Sequence, residues 1–519
     1  MSTQQTRMIA ETAGARWLRY AGYGIACLAL AFLLLYRLET FAVLRHDEGS
    51  FLHVAKNYAL DGVYADSSSE GYRFAGPVIS TGPTVILPIA LLFRLVEVSV
   101  PLARLVIVVY GVLMLVALYG LAAQLGDRRL ALVTLILAVT STGLDFTYYS
   151  RHVLGEIPGL FFLFAGLWLW LRPGSRGLAA LVGVGILMGL AAITKNQYAV
   201  FVLPGLLLAW ILDLVWYRRR GWRYFVVPGL IAGALFFAWT YYVFFLLGTD
   251  VRNPADDMEV LRAAGSSGFV VLNPKIITEN AYLLTGDKTY SGLFIPALLY
   301  GLFLSLRRDD AGQRWGTLTL FLALSAGLFI ISVGWTRYAV PPIAFSALLV
   351  ASLLHRLTDG YRPDWKGLQA ALLGQQDLSL ALVVQLVVLG LLVGMVVLPL
   401  GRAFFNVTAG GDLSPYQVAQ YLAANAPPEA LIETWETELA VLTDHRYHYP
   451  PYLAEQAVNT AHDASASPQD AYDFRDHVDP DYLILGPYSK WSGVYTADAL
   501  YGYELVQSYG DYDIYRRRR

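Results

Sequence analysis

The sequence predicts a polytopic α-helical membrane protein that ends in a soluble α/β domain. Three observations carry this. Hydrophobic residues make up 56% of the 519-residue chain and charged residues only 15%, against about 25% charge in soluble globular domains. The apolar residues come in blocks of spanning length. The blocks stop near residue 400, and residues 402–519 hold seventeen Asp and Glu, eight Lys and Arg and four His. The formal net charge of -2 offers no basic excess to a polyanion, so no nucleic-acid partner is expected. A single cysteine, Cys27, allows no internal disulfide and no thiolate metal cage.

Twelve apolar segments precede the tail, at 19–38, 81–96, 102–125, 130–147, 154–171, 177–193, 198–216, 224–247, 291–306, 315–333, 338–354 and 376–399. If all twelve span with the N-terminus inside, Arg128, Arg129 and the cluster Arg218, Arg219, Arg220, Arg223 fall outside, against the positive-inside rule. The segment 81–96 is, with 291–306, the shortest, is broken by Pro83 and Pro88, and carries Arg94. Read as re-entrant or interfacial, it leaves eleven transmembrane helices. The basic loops 126–129, 172–176, 217–223, 307–314 and 355–367 then all become cytoplasmic. The N-terminus is inside, the tail outside, and the first outer loop is overlong. Within that loop "EGSFLHVAKNYALDG" reads as a second interfacial helix. The expected division is a membrane part, 1–401, and an extracytoplasmic part, 402–519. In the tail, "PYQVAQYLAANAPPEALIETWE" predicts a helix, a proline break and a strand. "PDYLILGPY" and "YELVQSYGDYDIYR" predict further strands and a turn.

Charged residues gather at the outer ends of helices. "RHDEGSF" supplies His46, Asp47 and Glu48, either a solvated helix cap or an acid poised as a base or metal ligand. "YYSRHVLGEIPG" supplies Arg151, His152 and Glu156. A carboxylate at the depth of Glu156 costs about 2–4 kcal/mol unless paired, so it is a structural partner of Arg151 or another helix, or a second wall of the same site. Lys195, in "AAITKNQYAV", and Arg337, beside Tyr338 in "SVGWTRYAVPP", sit on the side where positive charge is disfavoured. They are snorkelling side chains, or the holders of a lipid phosphate or diphosphate. The loop 248–290, with Asp256, Asp257, Glu259 and Arg262, is acidic and receives no role.

This pattern resembles the GT-C fold membrane glycosyltransferases, more narrowly the family 39-related (PMT_2, ArnT-like) group. The resemblance covers nearly all of residues 19–400. It rests on "HDEGSFLHVAKNYALDG", the second outer acid, the lysine turn, the "RY…P" helix, and "LARLVIVVYGVLMLVALYGLAAQLGDRRLALVTLILAVTS". It implies a polyprenyl-phosphate sugar donor and transfer to a lipid, glycan or protein acceptor outside the cytoplasm. By resemblance, Asp47 matches the catalytic acid of the first loop. Glu156 matches the second outer acid, an Asp in many members, and is expected to be catalytic with Asp47, with metal, acceptor and donor all open as its partner. Lys195 and Arg337 match positions near the lipid phosphate. His46, Glu48, Arg151, His152 and Tyr338 are expected around the substrate. A divalent cation stays an open alternative, and no other cofactor is called for. One base and no evident second nucleophile favour single displacement with inversion. The location implied is the plasma (inner) membrane of a prokaryote, with the first helix retained as an anchor.

Three rivals share some of these features. A transporter or flippase also places charge in a helical bundle, but nearer the midplane and with inverted repeats. A lipid-glycan ligase or polymerase takes a diphosphate-linked donor. A noncatalytic assembly protein tolerates neutralising Asp47 and Glu156 together.

Overall fold

Each apolar block forms a helix. The structure, a computed structural model, describes residues 3–518 apart from 75–80, 175–176, 249–269, 287–288, 363, 374, 376, 378, 453, 455–457 and 459–471. Asp256, Asp257, Glu259 and Arg262 lie outside the described residues. Five helices are long and apolar enough to cross a membrane: Val100–Leu125, Asn196–Tyr217, Arg223–Leu246, Thr336–Leu357 and the helix that starts at Leu380. Five shorter apolar helices accompany them, Tyr20–Leu35, Pro83–Leu95, Glu156–Trp170, Leu178–Thr194 and Phe294–Ser305. The helix Pro83–Leu95 has 13 residues. At about 1.5 Å per residue it reaches about 20 Å, short of a hydrocarbon core of about 30 Å.

The helices are apolar on nearly every face because each meets either protein or lipid, and helical geometry satisfies the backbone within the segment. Val100–Leu125 packs on Glu156–Trp170, that helix on Leu178–Thr194, and that in turn on Arg223–Tyr241. The helix Val340–Leu357 is the most enclosed. Its Phe345 meets Phe164 edge-on at 5.1 Å.

The basic loops gather at one end of the bundle. Arg129 donates to the Gly360 carbonyl at 3.1 Å and His355 lies 3.3 Å from Asp127. Arg219 pairs with Asp310 at 2.7 Å, and Arg220 donates to the Gln313 side chain at 2.9 Å.

The first long loop holds the helix His46–Asp61 and a hairpin of β1 (Asp66–Ser68) with β2 (Gly71–Arg73). In the tail, the helix Ser414–Asn425 packs on a five-stranded sheet. Its strands are β3 (Leu431–Thr434), β4 (Arg446–His448), β5 (Tyr482–Leu485), β6 (Tyr503–Tyr509) and β7 (Tyr512–Arg517), ordered β4-β3-β5-β7-β6. β3 runs parallel to β4 and β5, whereas β7 is antiparallel to β5 and β6. Strand β5 is buried throughout, which is why it reads as the unbroken apolar run YLIL rather than an alternation.

This sheet is bound to the first loop. Lys56 donates to the Ala440 carbonyl and to Asp444, both at 2.7 Å, and Tyr452 donates to Asp66 at 2.6 Å. The turn 435–438 sits on the first turn of His46–Asp61. A Cβ on Gly49 would lie 2.3 Å from the Glu438 backbone nitrogen, so only glycine lets the two backbones approach this closely.

Candidate active site

Asp47 and Glu48 open the helix His46–Asp61, where acidic side chains complement the helix dipole. Being consecutive, they point about 100° apart around the axis, and their surroundings differ completely. The Asp47 side chain is 48% exposed and that of Glu48 is fully buried.

Asp47 is ion-paired with Arg337. Arg337 comes from a 3-10 turn, Thr336–Ala339, that leads into the enclosed helix. Its guanidinium lies 4.2 Å from the centre of the Trp335 ring and 5.8 Å from that of Tyr338. Its Nε is buried without a partner among the described residues. Burial pushes the Asp47 carboxyl up, but Arg337, with His46, Lys195 and His152, outweighs it and holds the group below its ordinary value.

Lys195 is the extended residue between the helices Leu178–Thr194 and Asn196–Leu212. Its ammonium is ion-paired with Oε1 of Glu156, the first residue of its helix. Both are buried, and Oε2 of Glu156 has no partner among the described residues. Tyr198 donates to the Glu156 carbonyl at 2.5 Å. The approach to the helix Pro83–Leu95 locks the lysine turn in place. Thr81 pairs with Lys195 as a β-bridge, and the Gly82 amide donates to the Thr194 carbonyl at 2.8 Å. A Cβ at Gly82 would come within 1.8 Å of the Ile193 carbonyl oxygen.

The two ion pairs form one cluster, since Lys195 acts electrostatically on both Arg337 and Asp47, and Glu156 acts on Arg337 and Tyr338. The five residues Asp47, Glu156, Lys195, Arg337 and Tyr338 thus come together from four separate stretches of chain.

The other four residues expected around a substrate make contacts within the protein, and two of them, His46 and His152, also act electrostatically on Asp47. Glu48 takes a bidentate pair from Arg104 at 2.9 and 2.5 Å and the Val153 amide at 3.0 Å, with His152 3.2 Å away. Burial acts to raise its carboxyl, but Arg104 and His152 bring it down to about 2. Arg151 caps the end of the first helix, donating to the carbonyls of Leu33 at 3.0 Å and Tyr36 at 2.5 Å. His46 bonds the Trp435 carbonyl at 2.8 Å and stacks on Tyr488 at 3.8 Å. His152 meets Tyr148 edge-on at 5.0 Å.

Arg104 joins the charged residues without having been singled out from the sequence; a lone arginine inside a 26-residue apolar helix is the signal that marks it. Tyr149 lies 3.4 Å from the Thr336 hydroxyl and feels both Glu156 and Arg337. The Gln197 amide is buried with neither polar atom partnered among the described residues. Gln197 belongs to the lysine turn, two residues beyond Lys195. Among the described residues no group of three or more His, Cys, Asp or Glu side chains is placed to hold a metal ion. Asp47 and Glu156 face cations instead.

Residues 80–246 match the family described as dolichyl-phosphate-mannose-protein mannosyltransferase, PMT_2. No curated protein sequence matches the chain. Among solved structures, ArnT from Cupriavidus metallidurans bound to undecaprenyl phosphate superposes with a TM-score of 0.62 at 16% identity, covering 95% of this chain and 98% of that one. The apo form of the same enzyme gives 0.63 at 16%, covering 97% and 98%. The oligosaccharyltransferase AglB from Archaeoglobus fulgidus, in complex with an inhibitory peptide and a dolichol-phosphate, gives 0.56 at 11%, covering 96% and 74%. The resemblance stated from the motifs therefore holds, and the chain has the GT-C fold.

Proposed function

We propose that the chain is a glycosyltransferase that moves a sugar from a polyprenyl-phosphate donor to a hydroxyl of a lipid, glycan or protein acceptor. One observation carries this reading: a half-exposed carboxylate, Asp47, stands in one cluster with two cationic side chains, Arg337 and Lys195. In the reaction the acceptor oxygen attacks the anomeric carbon and its proton passes to Asp47. The bond from that carbon to the phosphate oxygen breaks, and the lipid phosphate leaves. Arg337 and Lys195 stabilise the charge that develops on it. Both acids are paired with a cation, but Glu156 is fully buried whereas Asp47 is half exposed, so Asp47 acts as the single base and the anomeric centre inverts. Arg337 is paired with Asp47; an incoming phosphate competes for the guanidinium and frees the base.

We place the cluster on the outer face of a prokaryotic plasma membrane, with eleven spans, the N-terminus inside and residues 402–519 outside. The gathering of the basic loops at one end of the bundle supports this orientation. The tail, held against the helix that carries Asp47, positions that helix.

The test is release of lipid phosphate by the purified protein in lipid. A panel of labelled polyprenyl-phosphate sugars is used, with and without EDTA, beside Asp47→Asn. Release that depends on Asp47 supports the reading and identifies the sugar, and the EDTA arm decides the metal question. No release with any donor and acceptor pair transfers the case to a diphosphate-linked donor or a transporter.

A further inference from the structure

A groove opens between the end of the helix Asn196–Leu212 with its π-helical turn Asp213–Tyr217, the helix Phe294–Ser305 and the helix Asp310–Ile330. Its volume is about 610 Å³, within the range of lipid- and drug-sized sites. Leu212, Trp216, Leu302, Phe303 and Leu320 make its walls apolar. It lies at the end where the basic loops gather, remote in sequence from Asp47.

Charge at its mouth distinguishes it from a plain apolar surface. The Arg308 guanidinium lies 4.0 Å from the centre of the ring of Trp216, a wall residue. Arg218 directly follows Tyr217, also a wall residue, and its side chain donates to the Leu214 carbonyl at 3.3 Å. Neighbouring Arg219 and Arg220 meet Asp310, and Arg307 meets Asp309. Among the described residues, Arg218 and Arg308 meet no carboxylate.

We propose that this groove binds an anionic phospholipid. One acyl chain fills the apolar walls, and the phosphate lies between Arg218 and Arg308. Basic pockets between membrane helices select anionic head groups in this way.

The experiment is native mass spectrometry of the whole protein equilibrated with equal amounts of palmitoyl-oleoyl phosphatidylglycerol and the matching phosphatidylcholine. The expected result is a retained phosphatidylglycerol adduct at least about fivefold more abundant than the choline lipid, with the preference abolished in Arg218→Gln/Arg308→Gln. Leu302→Trp, which fills the groove and leaves the arginines intact, also loses the retained lipid. Equal retention of the two lipids overturns the proposal. A preference that survives the arginine changes also overturns it, and one that survives Leu302→Trp reduces it to surface attraction.

Discussion

The Asp47 carboxylate and the Arg337 guanidinium are ion-paired although 290 residues separate them. The pair joins the first long loop to the turn before the most enclosed helix. It also ties the protonation of the proposed base to the group proposed to hold the leaving phosphate.

Arg337→Gln is expected to raise the Asp47 pKa, because burial then acts with less opposition. A base works when ionised, so the acid limb of the kcat/KM profile should move to higher pH, and the donor KM should rise. Asp47→Asn should lower turnover by about 10²–10⁴, the usual contribution of a general base. An unmoved acid limb in Arg337→Gln would count against the pairing as a control on the base.

Lys195→Met removes the cation paired with the buried Glu156 carboxylate. Removing one member of a buried pair costs about 3–5 kcal/mol. A marked fall in melting temperature is therefore expected for Lys195→Met. Partial recovery is expected in Lys195→Met/Glu156→Gln, without recovery of transfer. Melting of the single variant at the parental temperature would show that the pair does not hold these helices.

Glu48 predicts how the fold responds to acid. Its carboxyl lies at about 2 when folded, against an ordinary value of 4.5. A depressed acid contributes stability that is present above pH 4.5 and lost as the pH falls towards 2, about 3 kcal/mol over that window. Glu48→Gln should melt lower than the parent at pH 7, and the difference should shrink below pH 4.5. A pH-independent difference would refute the linkage.

Gly49→Ala should loosen the tail from the first loop. The added Cβ meets backbone atoms of Thr437 and Glu438 rather than a flexible side-chain end. A cost at or above the usual 1–3 kcal/mol of overpacking follows. Limited proteolysis should show faster cleavage within residues 414–518, whereas parental protection would mean that the contact yields.

Much of this architecture was legible in the sequence because its signals are local. The helix His46–Asp61 shows its amphipathic pattern within sixteen residues, and strands β3, β5, β6 and β7 lie where short apolar runs meet turn residues. Asp47, Glu156, Lys195, Arg337 and Tyr338 stood out because charge and aromatics at helix ends are conspicuous. What was not legible is pairing. Nothing near Glu48 shows that Arg104, 56 residues on, takes both its oxygens. Its neighbour Asp47 looks the same in sequence and is half exposed in space. Gln197 has ordinary chemistry and is notable only because its burial leaves it unpartnered.

The contact between His46 and the Trp435 carbonyl spans 389 residues, and that interval is also a time. At about 5–20 residues per second of synthesis, the helix bearing Asp47 is made about 20–80 s before the turn that clasps it. For that period the helix faces lipid and solvent with the carboxylate of the proposed base in place but its seat unbuilt. The proposed enzyme completes its site only as the last fifth of the chain arrives. A ribosome that stops early therefore releases a membrane-inserted but unfinished product rather than a working transferase.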